Sequence, residues 1–213
     1  SFIILNKCIE SDLKGWEPKN EKLAQLKDSL FIVKRAVAIS IVEKDSMFIH
    51  GDTILITGKP KKRIVRTFNN VKIFKSDLQG KCDSIHTNQT NGLTRMFKTP
   101  VIWSEKNQIT GDTIHLISNV ETEKLDSLKV LNNSFIITKD TVSNKDFNQI
   151  RGRNMFGKFK NNKLEFLTVK GNAESVYFNR NEETQVLETI TKEISSNIEF
   201  TLDNGQIETI KYL

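Results

Sequence analysis

The chain is poor in the residues that break or staple a fold. Of its 213 residues only three are proline and ten are glycine, which excludes a collagen-like repeat and a linker-like chain. Cysteine occurs twice, at Cys8 and Cys82. There is no CxxC and no Cys/His cluster at ligand spacing, so no metal site is expected. One disulfide in an oxidising compartment and two free thiols fit that count equally well. No apolar run approaches the roughly 18 residues that a membrane-spanning helix needs. The opening "SFIIL" is too short for the core of a signal peptide, and export is neither implied nor excluded. The patterns GxSxG and HExxH and the P-loop are all missing. The expectation is a protein that is not an enzyme and carries no cofactor.

Charge of one sign is in modest excess. The formal net charge is +6 and the pI about 9.2, a balance that attracts phosphates of any kind. The Lys and Arg residues are scattered. The densest run, Lys59 to Arg63, lies between two strand-like stretches and reads either as a solvated hairpin loop or as a phosphate contact through Lys61, Lys62 and Arg63. "RGRNMFGKF" (151–159) adds Arg151 and Arg153 as phosphate-contact candidates. Its spaced glycines are only a fragment of a phosphate cradle, no helix pattern follows, and a bulged strand explains it better. Most of the thirteen phenylalanines fall in runs of period two, where core packing accounts for them, so no nucleic-acid partner is expected.

The apolar residues are mostly Ile, Leu, Val and Phe, which suit strands. Residues 1–29 stand apart: "SFIIL" reads as a strand, and "WEPKNEKLAQLKDSL", with Leu23, Leu26 and Leu30 at helical spacing, reads as a short N-terminal helix. From residue 30 to 213 the period is two. "RAVAISIV" places Val37, Ile39 and Ile41 on one face, and "DSMFIHGDTILITG" alternates on both sides of Gly51-Asp52. The pairs Asn69-Asn70, Asn91-Gly92, Asn132-Asn133, Asn161-Asn162 and Asn204-Gly205 fall between apolar runs and read as hairpin turns. The expected class is all-β: an antiparallel meander that folds over to hide its inner face as a sandwich, jelly roll or barrel.

One phrase recurs. "IHGDTILITG" (49–58) and "ITGDTIHLIS" (109–118) share Gly-Asp-Thr-Ile, and "CDSI" (82–85) is an echo, so Asp52, Asp83 and Asp112 recur about every 30 residues. A structural unit is duplicated within one chain far more readily than a catalytic loop. The aspartates read as backbone-capping residues at bends rather than as metal ligands. His50, His86 and His115 form no set, and His115 alternates with Ile114 and Leu116, which points it away from the core.

The stretch "TRMFKTPVIWSEKNQITGDTIHLI" (94–117) resembles a signature of the OstA-like (organic solvent tolerance) family of Bacteroidetes-type bacteria. Pro100, Val101, Ile102 and Trp103 precede a polar turn, then Ile109, Gly111, Asp112 and Ile114. "RAVAISIVEKDSMFIHGDTI", "VKIFKSDLQGKCDSI" and "QIRGRNMFGKFKNNKLEFLTVKGNAESVYF" look like further family segments, so the similarity covers about residues 30 to 213. Family members are usually longer on the N-terminal side, which implies a C-terminal portion. The resemblance implies an LptA-related β-jelly roll of the periplasm, associated with transport to the outer membrane. It implies lipopolysaccharide or its lipid A as ligand, and other lipopolysaccharide-transport jelly rolls as partners through stacked edge strands. The resemblance also implies an acyl-chain groove lined by inward apolar residues, and parity points inward Ile54, Ile56, Val71, Ile73, Ile114, Leu116, Phe135, Ile137, Ile198 and Phe200. A structural or adhesive β-repeat of the cell envelope with a closed core would use the same pattern.

Overall fold

The computed structural model describes residues 2–6, 29–42, 45–59, 62–76, 78–104, 106–122, 124–140, 142–143, 145–161, 163–181, 183–203 and 206–213, with side chains from residue 47 onward except Gln206. Among these residues there is no helix. They form one sheet of strands β1 (Phe2–Asn6), β2 (Ser29–Val42), β3 (Asp45–Thr57), β4 (Ile64–Phe74), β5 (Gln79–Asn88), β6 (Leu93–Phe97), β7 (Val101–Ser104), β8 (Asn107–Thr110), β9 (Thr113–Ser118), β10 (Leu125–Lys139), β11 (Phe147–Lys160), β12 (Lys163–Arg180), β13 (Leu187–Asp203) and β14 (Gln206–Tyr212). The expected all-β class is therefore present. The helical spacing of Leu23 and Leu26 lies outside the described residues, and Leu30 belongs to β2.

Every pairing is antiparallel, and the order is β1-β2-β3-β4-β5-β6-β9-β10-β11-β12-β13-β14, with β7 and β8 off this path. The exception has a simple origin. β6 and β7 lie end to end along one edge of β5, and β8 and β9 lie end to end along β10. β6 pairs β9, and β7 pairs β8. One long hairpin is thus interrupted midway. Its pairings with β5 and β10 close a circuit of six strand segments, where an open jelly roll was expected.

The interruption belongs to a line that crosses the sheet. Register breaks fall at His50/Thr53, Phe68/Val71, Leu131/Ser134, Arg151/Asn154 and Lys170/Ala173. Pairs of consecutive residues with left-handed backbone sit on it at Asn69-Asn70, Lys98-Thr99, Asn132-Asn133 and Gly171-Asn172. Between them come Gly51-Asp52, Asp83, Gly111-Asp112 and Gly152-Arg153. A bulge bends and twists its strand, and bulges aligned on neighbouring strands crease the whole sheet. The turns read at Asn69-Asn70 and Asn132-Asn133 are therefore mid-strand bulges, because positive φ serves a bulge as well as a hairpin. Asn161 does turn between β11 and β12, with φ 51°. "RGRNMFGKF" is a bulged strand, as expected.

The repeated Gly-Asp is half of this joint. Asn133 Nδ2 donates to both carboxylate oxygens of Asp112 at 3.1 Å, and Asn70 Nδ2 donates to Asp52 at 3.0 Å. Asp52 and Asp112 thus accept from an asparagine amide on the neighbouring strand, and Asp83 meets Lys98 Nζ at 3.3 Å, where backbone N–H bonds were expected. The glycine is required by close approach. A Cβ on Gly51 would lie 2.3 Å from Thr67 Cγ2, one on Gly111 2.5 Å from Val130 Cγ1, and one on Gly152 2.4 Å from Val169 Cγ1. The recurrence of about 30 residues is one hairpin, two strands crossing the crease.

Across the strands the register aligns Ile54, Thr67, Ile85, Met96, Ile114, Val130, Met155, Val169 and Ile198 in one row. All of them are buried. A flat single sheet would wet both faces, so this row is covered by the creased sheet itself. Thr67 is its polar member, and its hydroxyl has no hydrogen-bond partner.

Candidate functional site

Period-two alternation and the bulges together carry most of the proposed groove residues to the inner face. Ile54, Ile56, Val71, Ile73, Ile114, Ile198 and Phe200 are buried, and Leu116 is partly buried against the same core. Ile54, Ile114 and Ile198 have no exposed surface, so the middle of the face is sealed rather than grooved. The face opens toward β14. Ile210 pairs with Phe200 and Tyr212 with Ile198, yet they are 36% and 42% exposed. β14 pairs only with β13 among the described residues.

Phe135 and Ile137 depart from the expectation. They flank Ile136, which is buried, so they point to the opposite face. "SFIIT" is apolar on both parities, and alternation cannot choose between them. On that outer face they line an open depression of about 840 Å³ together with Trp103, Gln108, Phe147 and Gln149. Trp103 Nε1 donates to Gln108 Oε1 at 2.7 Å, and Lys81 Nζ sits 5.6 Å from the Trp103 ring. Exposed Phe48 and Phe74, with ring centroids 6.3 Å apart, lie in the same cross-strand row as Trp103 and Ile137. Sequence reasoning missed Trp103 and Phe147. The available signal was odd spacing from an inward apolar residue: Trp103 is one residue from Ile102, and Phe147 three from Ile150.

Asp140 closes one wall of the depression. Its carboxylate accepts from Val142 N, Ser143 N and Arg180 Nε at 2.7, 2.8 and 2.9 Å. Arg180 Nη2 also reaches Asp146 at 2.9 Å. The Ser143 amide and then, against the cost of burial, the Arg180 guanidinium hold the Asp140 pKa down at about 2. This buried cluster ties the β10–β11 connection to β12.

The proposed phosphate contacts are not brought together. Lys62 is exposed and Arg63 half-buried in the β3–β4 connection, Lys61 lies outside the described residues, and Arg151 and Arg153 are on β11. Arg151 Nε already donates to Glu174 at 2.9 Å, and Lys192 Nζ meets the same carboxylate at 3.1 Å. Cys82 is a buried free thiol whose Sγ lies 3.3 Å from Ser84 O, and burial pushes its pKa up to about 12. Cys8 lies outside the described residues.

No group of three or more metal-ligating side chains occurs among the described residues, and no helix there is long and apolar enough to cross a membrane. No protein-family model matches the chain, and no curated protein matches it in sequence. Among solved structures, the chain is similar to LptH, the LptA-homologous periplasmic component of the lipopolysaccharide transport device of Pseudomonas aeruginosa, with 11% identity, a TM-score of 0.47, and coverage of 63% of this chain and 80% of that one.

Proposed function

We propose that the chain is a non-enzymatic carrier of lipopolysaccharide in the periplasm, a variant of the LptA-related jelly roll that holds acyl chains on its inner face. The observation that carries this reading is the apolar inner face that runs from β3 to β13 and becomes uncovered at β14, at Ile210 and Tyr212. The order of the OstA-like segments along the chain agrees with it. Each acyl methylene taken from water contributes about 0.8 kcal/mol, so a face that covers a few of them binds usefully and still releases to a neighbour of similar quality. The unpaired side of β14 would serve as the joint to the next jelly roll by strand addition. Bound chains would enter from that side, since the central row is closed.

A second reading is favoured by that same closure: a structural β-repeat of the cell envelope whose inner face is only a core. Photocrosslinking to purified lipopolysaccharide separates the two. Benzophenone side chains placed at Ile210 and Tyr212 are expected to crosslink, and one at the exposed Glu183 of the β12–β13 connection is not. Absence of any adduct at Ile210 and Tyr212, in protein shown to be folded, would leave the structural reading. A benzophenone at Ile137 tests whether the outer depression takes the acyl chains instead.

A further inference from the structure

One residue away from the buried row, on the outer face, the same ladders align Arg66 with His86, His86 with Arg95, Arg95 with His115, and His115 with Lys129. Five cationic or protonatable side chains on β4, β5, β6, β9 and β10 thus form one line. With neighbouring strands about 4.8 Å apart, the line spans roughly 19 Å. No ion pair neutralises any of the five among the described residues. The residues two positions before and after them on the same face, Ile64, Phe68, Ser84, Asn88, Leu93, Phe97, Thr113, Ile117, Ser127 and Leu131, include no carboxylate. Beyond Lys129 the next partner is Phe156, whose ring lies 6.0 Å from Lys129 Nζ.

Like charges directly opposite one another destabilise a sheet, and all but Lys129 are half-buried. His86 Nε2 is covered and has no hydrogen-bond partner. Near neutral pH the three fixed cations alternate with uncharged histidines, about 10 Å apart; acidification puts like charges directly opposite one another, and an array of phosphates would relieve that repulsion. Apolar side chains on both flanks suit an amphiphilic surface better than a soluble polyanion.

We propose that this line is a docking surface for an anionic phospholipid layer, with Arg66, Arg95 and Lys129 meeting headgroup phosphates and His86 and His115 joining them when protonated. Phe68, Phe97 and Leu131 on one flank and Ile64, Leu93 and Ile117 on the other would face the interfacial region. The proposal is independent of whether the inner face carries acyl chains.

Histidine titration makes the docking pH-dependent. His86 faces Arg66 on β4 and Arg95 on β6, and His115 faces Arg95 on β6 and Lys129 on β10. Burial, then these cations, lower both histidine pKa values. Near neutral pH the line therefore carries three charges, and acidification adds two.

The test is co-sedimentation of the whole chain with vesicles of neutral phosphatidylcholine, and of phosphatidylcholine with one-third phosphatidylglycerol. Each basic group near a charged surface is worth about a fivefold change in affinity. The expected result is binding to the anionic vesicles alone, weakened about fivefold by Arg95→Gln and on the order of a hundredfold by combined Arg66→Gln, Arg95→Gln and Lys129→Gln. Lys145→Gln, an exposed charge away from the line, is expected to change binding less than about twofold. Binding should tighten as the pH falls below 6.5, and His86→Gln with His115→Gln should remove that gain. Urea unfolding of each variant checks that it is folded before its binding is compared. Unchanged binding by the folded triple variant would overturn the proposal, as would no binding of the unaltered chain. Tighter binding of inorganic tripolyphosphate at this line than of the anionic vesicles would also overturn it, in favour of a soluble polyphosphate.

Discussion

Two rows of side chains run side by side across the same strands and could hardly differ more. The inner one contains Thr67, Ile85, Met96, Ile114 and Val130, all buried, and the outer one Arg66, His86, Arg95, His115 and Lys129. The two are offset by a single residue on every strand. Side chains of a strand alternate between its faces, so the offset alone decides which residues meet the core and which meet water. Like charges accumulate only on the row that water or an anion can reach. The covered row admits a single hydroxyl.

The largest effect should come from exchanging the character of adjacent positions. Ile114→Asp places a carboxylate where no surface is exposed and is expected to cost about 4 kcal/mol or more. His115→Asp, set between Arg95 and Lys129, is expected to change stability by less than about 0.5 kcal/mol. Urea unfolding of the two variants checks this, and a reversed order would mean that the register is wrong by one residue.

A smaller effect tests what keeps the two rows on their own faces through the crease. Gly111→Ala drives a Cβ to 2.5 Å from Val130 Cγ1 and is expected to cost about 2 kcal/mol, typical of overpacking. Val130→Ala in the Gly111→Ala background should restore part of that loss, since it removes the colliding methyl. Additive losses from the two changes would show that the glycine serves some other purpose.

The smallest effect distinguishes the rows by protons. His86 and His115 have folded pKa values below their ordinary 6.5, through burial and neighbouring cations. The unfolded chain then takes up protons first as pH falls. Stability from these groups is complete above about 6.5, falls as pH drops through that value, and levels off below the folded pKa values. The inner row holds no titratable group. Urea midpoints at pH 7.5, 6.5 and 5.5 should therefore decline, and His86→Gln with His115→Gln should flatten the decline.

Much of this architecture is legible in the residues. Alternation predicts the strands, the direction of Ile114 and His115, and the inward set from Ile54 to Phe200. It fails at Phe135 and Ile137, where three consecutive apolar residues satisfy either parity. It also fails at Asn69-Asn70 and Asn132-Asn133, because positive φ is a demand shared by hairpin turns and by bulges. The Gly-Asp recurrence is visible as a repeat, but its partner asparagines are 18 and 21 residues away, so the joint cannot be read from either segment alone.

By itself the sequence determined an antiparallel all-β chain, its hairpin-length repeat, the burial of one parity and the absence of any recognisable catalytic motif. These follow from local alternation and residue chemistry. Only the tertiary structure decided that the repeat is a crease, that the inner face is sealed at its centre and uncovered at β14, and that five basic side chains stand in line. Each depends on cross-strand register, which brings together residues that no local pattern connects.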